Sequence, residues 1–152
     1  MTAKPETQFY QRIHKHFGSN PPFSQKTFNP LAAGIPDMYY SGQKGDLWVE
    51  YKFDPRAGFG ARFVKPNLSA RQNQWLMGRY HEGRRVAVIM GGPGNRAVIY
   101  EAGQWAVPLA PSYWQQRSIP EREVAQWILS ITGSRYVVPA ELSEPEADLP
   151  EE

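Results

Sequence analysis

Two strands and a turn can be read in Gly34-Ile35-Pro36-Asp37-Met38-Tyr39-Tyr40-Ser41-Gly42-Gln43-Lys44-Gly45-Asp46-Leu47-Trp48-Val49-Glu50-Tyr51-Lys52-Phe53. Ile35 to Tyr40 and Leu47 to Phe53 are rich in β-branched and aromatic residues and read as strands. Ser41 to Asp46 between them has the composition of a turn. A hairpin centred between Gln43 and Lys44 pairs residues whose numbers sum to 87, which sets Asp37 opposite Glu50. Directly opposed residues have Cβ atoms about 4.5–5.5 Å apart. Side chains alternate along a strand, so Trp48, Glu50 and Lys52 share one face, with Leu47, Val49, Tyr51 and Phe53 on the other.

Charges in such an apolar strand demand a reason. Burying a carboxylate or an ammonium costs several kcal/mol unless the group is paired or binds an ion. Two carboxylates held close repel, and one tends to stay protonated. A hard cation with oxygen ligands removes that conflict, and Mg²⁺ or Mn²⁺ suits such a site. A blander account makes Glu50 and Lys52 an ordinary surface pair on an edge hairpin, contributing about 0–1 kcal/mol. The apolar residues on both faces argue instead for a covered, central strand.

The remaining pattern supplies a frame. Pro5 to Phe17 reads as a helix with Phe9, Tyr10, Ile13 and Phe17 as its core stripe and Glu6 in its first turn. A short strand is expected around Lys26 to Ala32. Leu68 to Glu82 reads as a helix, with Ser69 and Gln72 spaced as a capping box. Arg85 to Met90 and Ala97 to Glu101 read as strands, and Pro120 to Thr132 as a final helix carrying Val124, Trp127, Ile128 and Ile131 on one face. The order α-β-β-β-α-β-β-α implies an α/β fold, a central mixed sheet flanked by helices.

The 152 residues suffice for one domain with a proper core and include no cysteine, so disulfides and thiolate metal sites are excluded. No apolar run approaches a membrane span, and no secretory leader is visible, which gives a cytoplasmic expectation. The net charge of +2 hides an asymmetry: all 17 Lys and Arg, against 9 acids, lie in residues 1–135, and the other 6 acids lie in residues 136–152. Residues 1–135 are therefore expected to form a basic folded domain suited to a polyanionic partner, and residues 136–152 an acidic, flexible tail. That tail reads as a solubilising extension, with a fold-back over the basic surface as its sharper alternative.

Asp54 to Arg71 interleaves Arg56, Arg62, Lys65 and Arg71 with Phe59 and Phe63. This composition suits a flexible loop that grips phosphates and packs on bases or sugars. Four phosphate contacts would give a slope of log K on log salt of roughly −3 to −4. Trp105, Trp114 and Trp127 are candidates for a homodimer face. His14, His16 and His81 show no paired ligand spacing.

Glu6, Pro36-Asp37, Glu50-Tyr51-Lys52, Leu68-Ser69 with Gln72 and Trp75-Leu76, and Gly83 with Val86-Ala87-Val88 follow one another in an order that resembles the PD-(D/E)xK nucleases. Within that superfamily the set resembles the VRR-NUC-type branch, which includes small phage-type and junction-resolving endonucleases. The resemblance spans roughly residues 6 to 91; the segment Asp54 to Asn67 is longer and more aromatic than in compact members.

The resemblance implies a restriction-endonuclease-like core and Mg²⁺- or Mn²⁺-dependent hydrolysis of DNA phosphodiester bonds, on duplex or branched DNA. It implies a phage-encoded protein acting in a host cytoplasm, and no organic cofactor. Asp37, Glu50, Lys52 and Gln72 would be catalytic. Asp37, Glu50, the backbone carbonyl of Tyr51 and Glu6 would serve the metal. Arg56, Arg62, Lys65 and Arg71 would hold DNA. The rival functions are a non-catalytic DNA-binding module on the same fold and a protein-interaction or inhibitory protein using the acidic tail.

Overall fold

Six strands lie side by side in chain order in one sheet: β1 (Phe23–Lys26), β2 (Met38–Ser41), β3 (Asp46–Phe53), β4 (Val86–Gly92), β5 (Arg96–Tyr100) and β6 (Ile119–Pro120). The computed structural model describes residues 3–27 and 33–142. All neighbouring strands are antiparallel except β3 and β4, which are parallel. A parallel pair needs a long crossover, and helix α2 (Ala70–His81) lies within it.

The hairpin register is the one its turn composition predicts. Met38 pairs with Val49, Tyr39 with Trp48, Tyr40 with Leu47 and Ser41 with Asp46, every pair summing to 87. The turn closes through Gly42 N–H donating to the Gly45 carbonyl at 3.1 Å. The first strand of the hairpin is shorter than its composition suggests: Ile35, Pro36 and Asp37 precede β2 rather than extending it. The Pro36 nitrogen has no hydrogen to give to a ladder, which favours an end there.

Helices α1 (Pro5–Lys15) and α4 (Glu121–Thr132) cover one face of the sheet. Phe9, Ile13, Val124 and Ile128 pack there on Val49, Tyr51, Ala87 and Ile89. Arg12 of α1 grips the buried Glu121 of α4 through two nitrogens at 2.9–3.1 Å. On the other face, Leu76 of α2 and Trp114 of α3 (Pro111–Arg117) join Trp105, Val86, Val88, Met90 and Tyr100 in a second core.

Several expectations need correction. The first strand lies at Phe23–Lys26, earlier than the expected Lys26 to Ala32; residues 28–32 of that expectation fall outside the described residues. Helix α3 and strand β6 were not predicted, so the order is α-β-β-β-α-β-β-α-β-α. Trp105 and Trp114 are core residues, 0% and 2% exposed, and so cannot form a dimer face; Trp127 is half-buried. The basic loop is anchored rather than free. Ala57 is fully buried, and Val64 exchanges two 2.8 Å backbone hydrogen bonds with Leu109. Of the expected acidic tail, residues 136–142 are exposed and residues 143–152 lie outside the described residues. Among the described residues, no helix is long and apolar enough to cross a membrane.

Candidate active site

Asp37 is fixed by backbone contacts on both sides of its side chain. Its carbonyl accepts from Thr27 N–H at 2.9 Å, its N–H donates to Glu50 Oε2 at 3.1 Å, and its Oδ2 accepts from Tyr51 N–H at 3.0 Å. Gly34 makes this approach possible. Its φ of +95° favours glycine, and a Cβ there would stand 2.6 Å from the Arg71 carbonyl oxygen. The loop before β2 is thus seated against the first turn of α2.

Glu50 is 2% exposed and comes from the middle of β3. Gln72 reaches it from α2: Gln72 Nε2 donates to Glu50 Oε1 at 2.9 Å. Gln72 also completes the capping box. Ser69 Oγ accepts from its backbone N–H at 3.1 Å, and its own Oε1 accepts from Ser69 N–H at 3.0 Å. One side chain therefore starts the helix and ties it to the carboxylate. Lys52, two residues along β3 from Glu50 and on the same face, sets Nζ 3.5 Å from Glu50 Oε1 and 3.5 Å from Gln72 Oε1.

Glu50 Oε2 stands 3.1 Å from the Asp37 nitrogen, which sets the two carboxyls near each other. Burial pushes Asp37 upward, against the pull of the Tyr51 N–H and Lys52. Burial, followed by the neighbouring Asp37 charge, pushes Glu50 up to about 8. Lys52 opposes both shifts without cancelling them.

The donor set suits a hard divalent cation: it is made of oxygens that repel one another in its absence. Trp48 N–H donates to the Arg85 carbonyl just before β4 and Tyr51 N–H points to Asp37, so odd-numbered backbone groups of β3 face the β2 edge. The Tyr51 carbonyl therefore lies on that edge, beyond the last hairpin pair, Met38 with Val49. Among the described residues, no three His, Asp or Glu side chains gather closely enough to hold a metal by themselves. Glu6 stands apart on α1, lining the same cleft and adding its negative charge at Asp37.

That cleft has a volume of about 290 Å³ and brings Glu6, Asp37, Glu50, Tyr51, Lys52 and Gln72 together. Lys4, Thr7, Tyr10 and Lys26 complete its wall. Sequence reasoning gave none of these four to the site and placed Tyr10 in the core stripe of α1; Lys26 holds its ammonium 5.8 Å from the Tyr10 ring centre. The only signal was their nearness in sequence to Glu6 and to the first strand.

The basic loop lies outside this wall. Arg56, Arg62, Lys65 and Arg71 are all exposed. Arg62 is engaged by Asp54 at 2.5 Å, whereas Arg56, Lys65 and Arg71 have no ion pair among the described residues. Phe59 and Phe63 are each 61% exposed, so they are not tucked into the core. His14 packs behind the sheet, its Nε2 2.7 Å from the Tyr40 hydroxyl, and takes no part in the cleft.

The architecture matches that of Archaeoglobus fulgidus Hjc, a Holliday junction resolvase from an archaeal hyperthermophile, with a TM-score of 0.51 at 14% identity over 79% of this chain and 99% of that one. The chain has a restriction-endonuclease-like fold. No protein-family model and no curated protein matches the chain. At this identity the likeness carries the fold alone.

Proposed function

We propose that this protein is a metal-dependent endonuclease that hydrolyses DNA phosphodiester bonds, acting on branched or otherwise structured DNA. The observation that supports this most is the half-buried Asp37 beside the buried Glu50, whose Oε2 accepts from the Asp37 N–H, with Lys52 on the same face. The VRR-NUC-type assignment, a phage origin and action in a host cytoplasm belong to the same proposal and rest on the motif order alone.

In this reading Asp37, Glu50 and the Tyr51 carbonyl hold one or two Mg²⁺ or Mn²⁺ ions, and Glu6 acts through water from the cleft wall. When bound, the metal lowers the pKa of a coordinated water and neutralises charge on the phosphate. Lys52 Nζ orients the attacking water and faces the negative charge that grows on the phosphoryl oxygens. Gln72 keeps Glu50 Oε1 in place and, through its Oε1, holds Lys52 on the same face. Arg56, Lys65 and Arg71 take DNA phosphates beside the cleft, with Arg62 partly committed to Asp54.

A homodimer would allow paired cuts across a junction; with Trp105 and Trp114 buried, any such face lies elsewhere. The test is incubation with matched duplex, nicked, flap, single-stranded and four-way DNA in Mg²⁺, Mn²⁺ or EDTA. Metal-dependent cleavage of at least one structured substrate is expected. DNA binding without cleavage in any of these conditions would favour the non-catalytic module.

A further inference from the structure

The face that carries the carboxyls continues past them. On β2 and β3 the cross-strand partners run from Asp37 and Glu50 to Tyr39 with Trp48, then to Ser41 with Asp46. One step along this ladder is two residues, about 7 Å. The Tyr39 and Trp48 ring centres are 4.6 Å apart, and Trp75 of α2 meets Trp48 at 5.1 Å, edge to face. Gln72, Trp75 and Arg79 recur on one side of α2, so the helix repeats the strand's order: Gln72 on Glu50, Trp75 on Trp48, then Arg79 5.7 Å from the Trp75 ring centre.

Trp48 touches both of the other rings, and the three leave an open aromatic wall. Tyr39, Trp48 and Trp75 line a second cleft of about 480 Å³, together with Asp46, Arg79, Arg84 and Arg85. That volume is in the range of small-ligand sites. Arg79 pairs with Glu82 at 2.7 Å and Arg85 with Glu101 at 3.5 Å, while Arg84 is exposed and has no ion pair among the described residues. Arg79 Nε is buried without a hydrogen-bond partner among the described residues. Asp46 is occupied by Ser41 Oγ at 2.8 Å.

We infer that this cleft stacks an unpaired nucleotide of the DNA strand next to the scissile phosphate, and so selects DNA that is single-stranded or unpaired at the cut. The inference rests on the nuclease reading above and specifies its substrate. Stacking accepts any base because every base has a π-face, and flanking guanidiniums supply phosphate contact. A continuous duplex keeps its bases stacked inside and cannot offer one to Tyr39 and Trp75. The position one step from Asp37 and Glu50 puts the stacked nucleotide within reach of its neighbour's phosphate in the first cleft.

The test is anisotropy of a labelled oligothymidylate and of a blunt duplex of equal length, measured with the full chain in EDTA. Wild type is expected to bind the single strand. Tyr39→Ala is expected to weaken that binding about tenfold, the scale of one lost stack, with a clearly smaller loss on the duplex. Tyr39→Phe, which keeps the ring, should restore it, and Arg84→Ala should weaken single-strand binding without touching a packed residue. Equal losses on both ligands, or failure of Tyr39→Phe to restore binding, would overturn the inference. A parallel Mn²⁺ assay separates the two proposals. Absent cleavage with Tyr39-dependent single-strand binding leaves the stacking cleft and removes the nuclease reading. Active wild type with substrate-blind Tyr39→Ala does the reverse.

Discussion

Gln72 Nε2 donates to Glu50 Oε1 at 2.9 Å, joining the first turn of α2 to the centre of β3. The same glutamine closes the capping box with Ser69. Helix initiation and carboxylate orientation can nonetheless be separated by substitution. Gln72→Leu removes the side-chain bonds to both the Ser69 N–H and Glu50: stability should fall by about 1 kcal/mol from the unpaired Ser69 N–H, and cleavage by roughly 10–100-fold from the freed carboxylate. Gln72→Glu keeps an acceptor for the Ser69 N–H but offers Glu50 no donor. It should keep the cap, set a further carboxyl against Glu50, and lose activity, with a melting temperature that falls as pH rises. Thermal melts beside initial rates for both variants check this; full activity in Gln72→Glu would remove Gln72 from the site.

The Asp37–Glu50 pair makes stability depend on pH and metal together. Glu50 is raised from its ordinary 4.5 to about 8 and Asp37 is raised with it, burial leading in both. An acid raised in the folded state contributes stability that is complete below its unfolded pKa and is lost as pH rises through the folded one. The metal-free protein should therefore lose melting temperature between about pH 4.5 and pH 8. Metal binding needs the ionised carboxyls, so Mn²⁺ should raise Tm more at the alkaline end of that window than at the acid end. Differential scanning in EDTA and in Mn²⁺ reads both slopes. A metal-induced shift of equal size across the window would contradict the assignment.

Gly34 sets where Asp37 can stand. In Gly34→Ala the new Cβ meets the Arg71 carbonyl oxygen at a φ of +95°. The variant should lose about 1–3 kcal/mol of stability, and its cleavage rate should fall further than that loss explains at a temperature where it stays folded. Wild-type rates in a folded Gly34→Ala would show that this close approach does not position Asp37.

The loop cations make a graded prediction. Arg56, Lys65 and Arg71 are unpaired among the described residues, so each Ala variant should reduce the slope of log K on log salt by about 1. Arg62→Ala should change it less, because Asp54 already neutralises that guanidinium. Fluorescence titrations of duplex DNA across salt measure all four; identical effects would show that the Asp54 pair opens on binding.

The hairpin was legible in the sequence because local chemistry fixes it: Gly42 and Gly45 close the turn, and the alternation of Leu47 to Phe53 then places Glu50 and Lys52 on one face. The capping box of Ser69 and Gln72 was legible for the same reason. Helix α3 was not, since Pro111–Arg117 is only 7 residues long and buries Trp114 alone, leaving no periodic stripe. The exchange between Val64 and Leu109 joins distant segments and has no local signature. Lys26 reaches the cleft because β1 sits on the edge of β2, three residues earlier than its composition suggested, and Lys4 reaches it from the start of α1. The aromatic ladder of Tyr39, Trp48 and Trp75 was visible as residues, but its shape depends on α2 lying along β3.

The central claim is that Asp37, Glu50 and Lys52 form one hydrolytic site. The most direct measurement is Mn²⁺-dependent cleavage of a four-way and a flap DNA by wild type and by Asp37→Asn, Glu50→Gln and Lys52→Ala, with DNA affinity read in parallel. Metal-dependent cleavage by wild type, its loss in all three variants and retained DNA binding is the predicted result. Wild-type rates in any one variant, or cleavage that persists in EDTA, would contradict it.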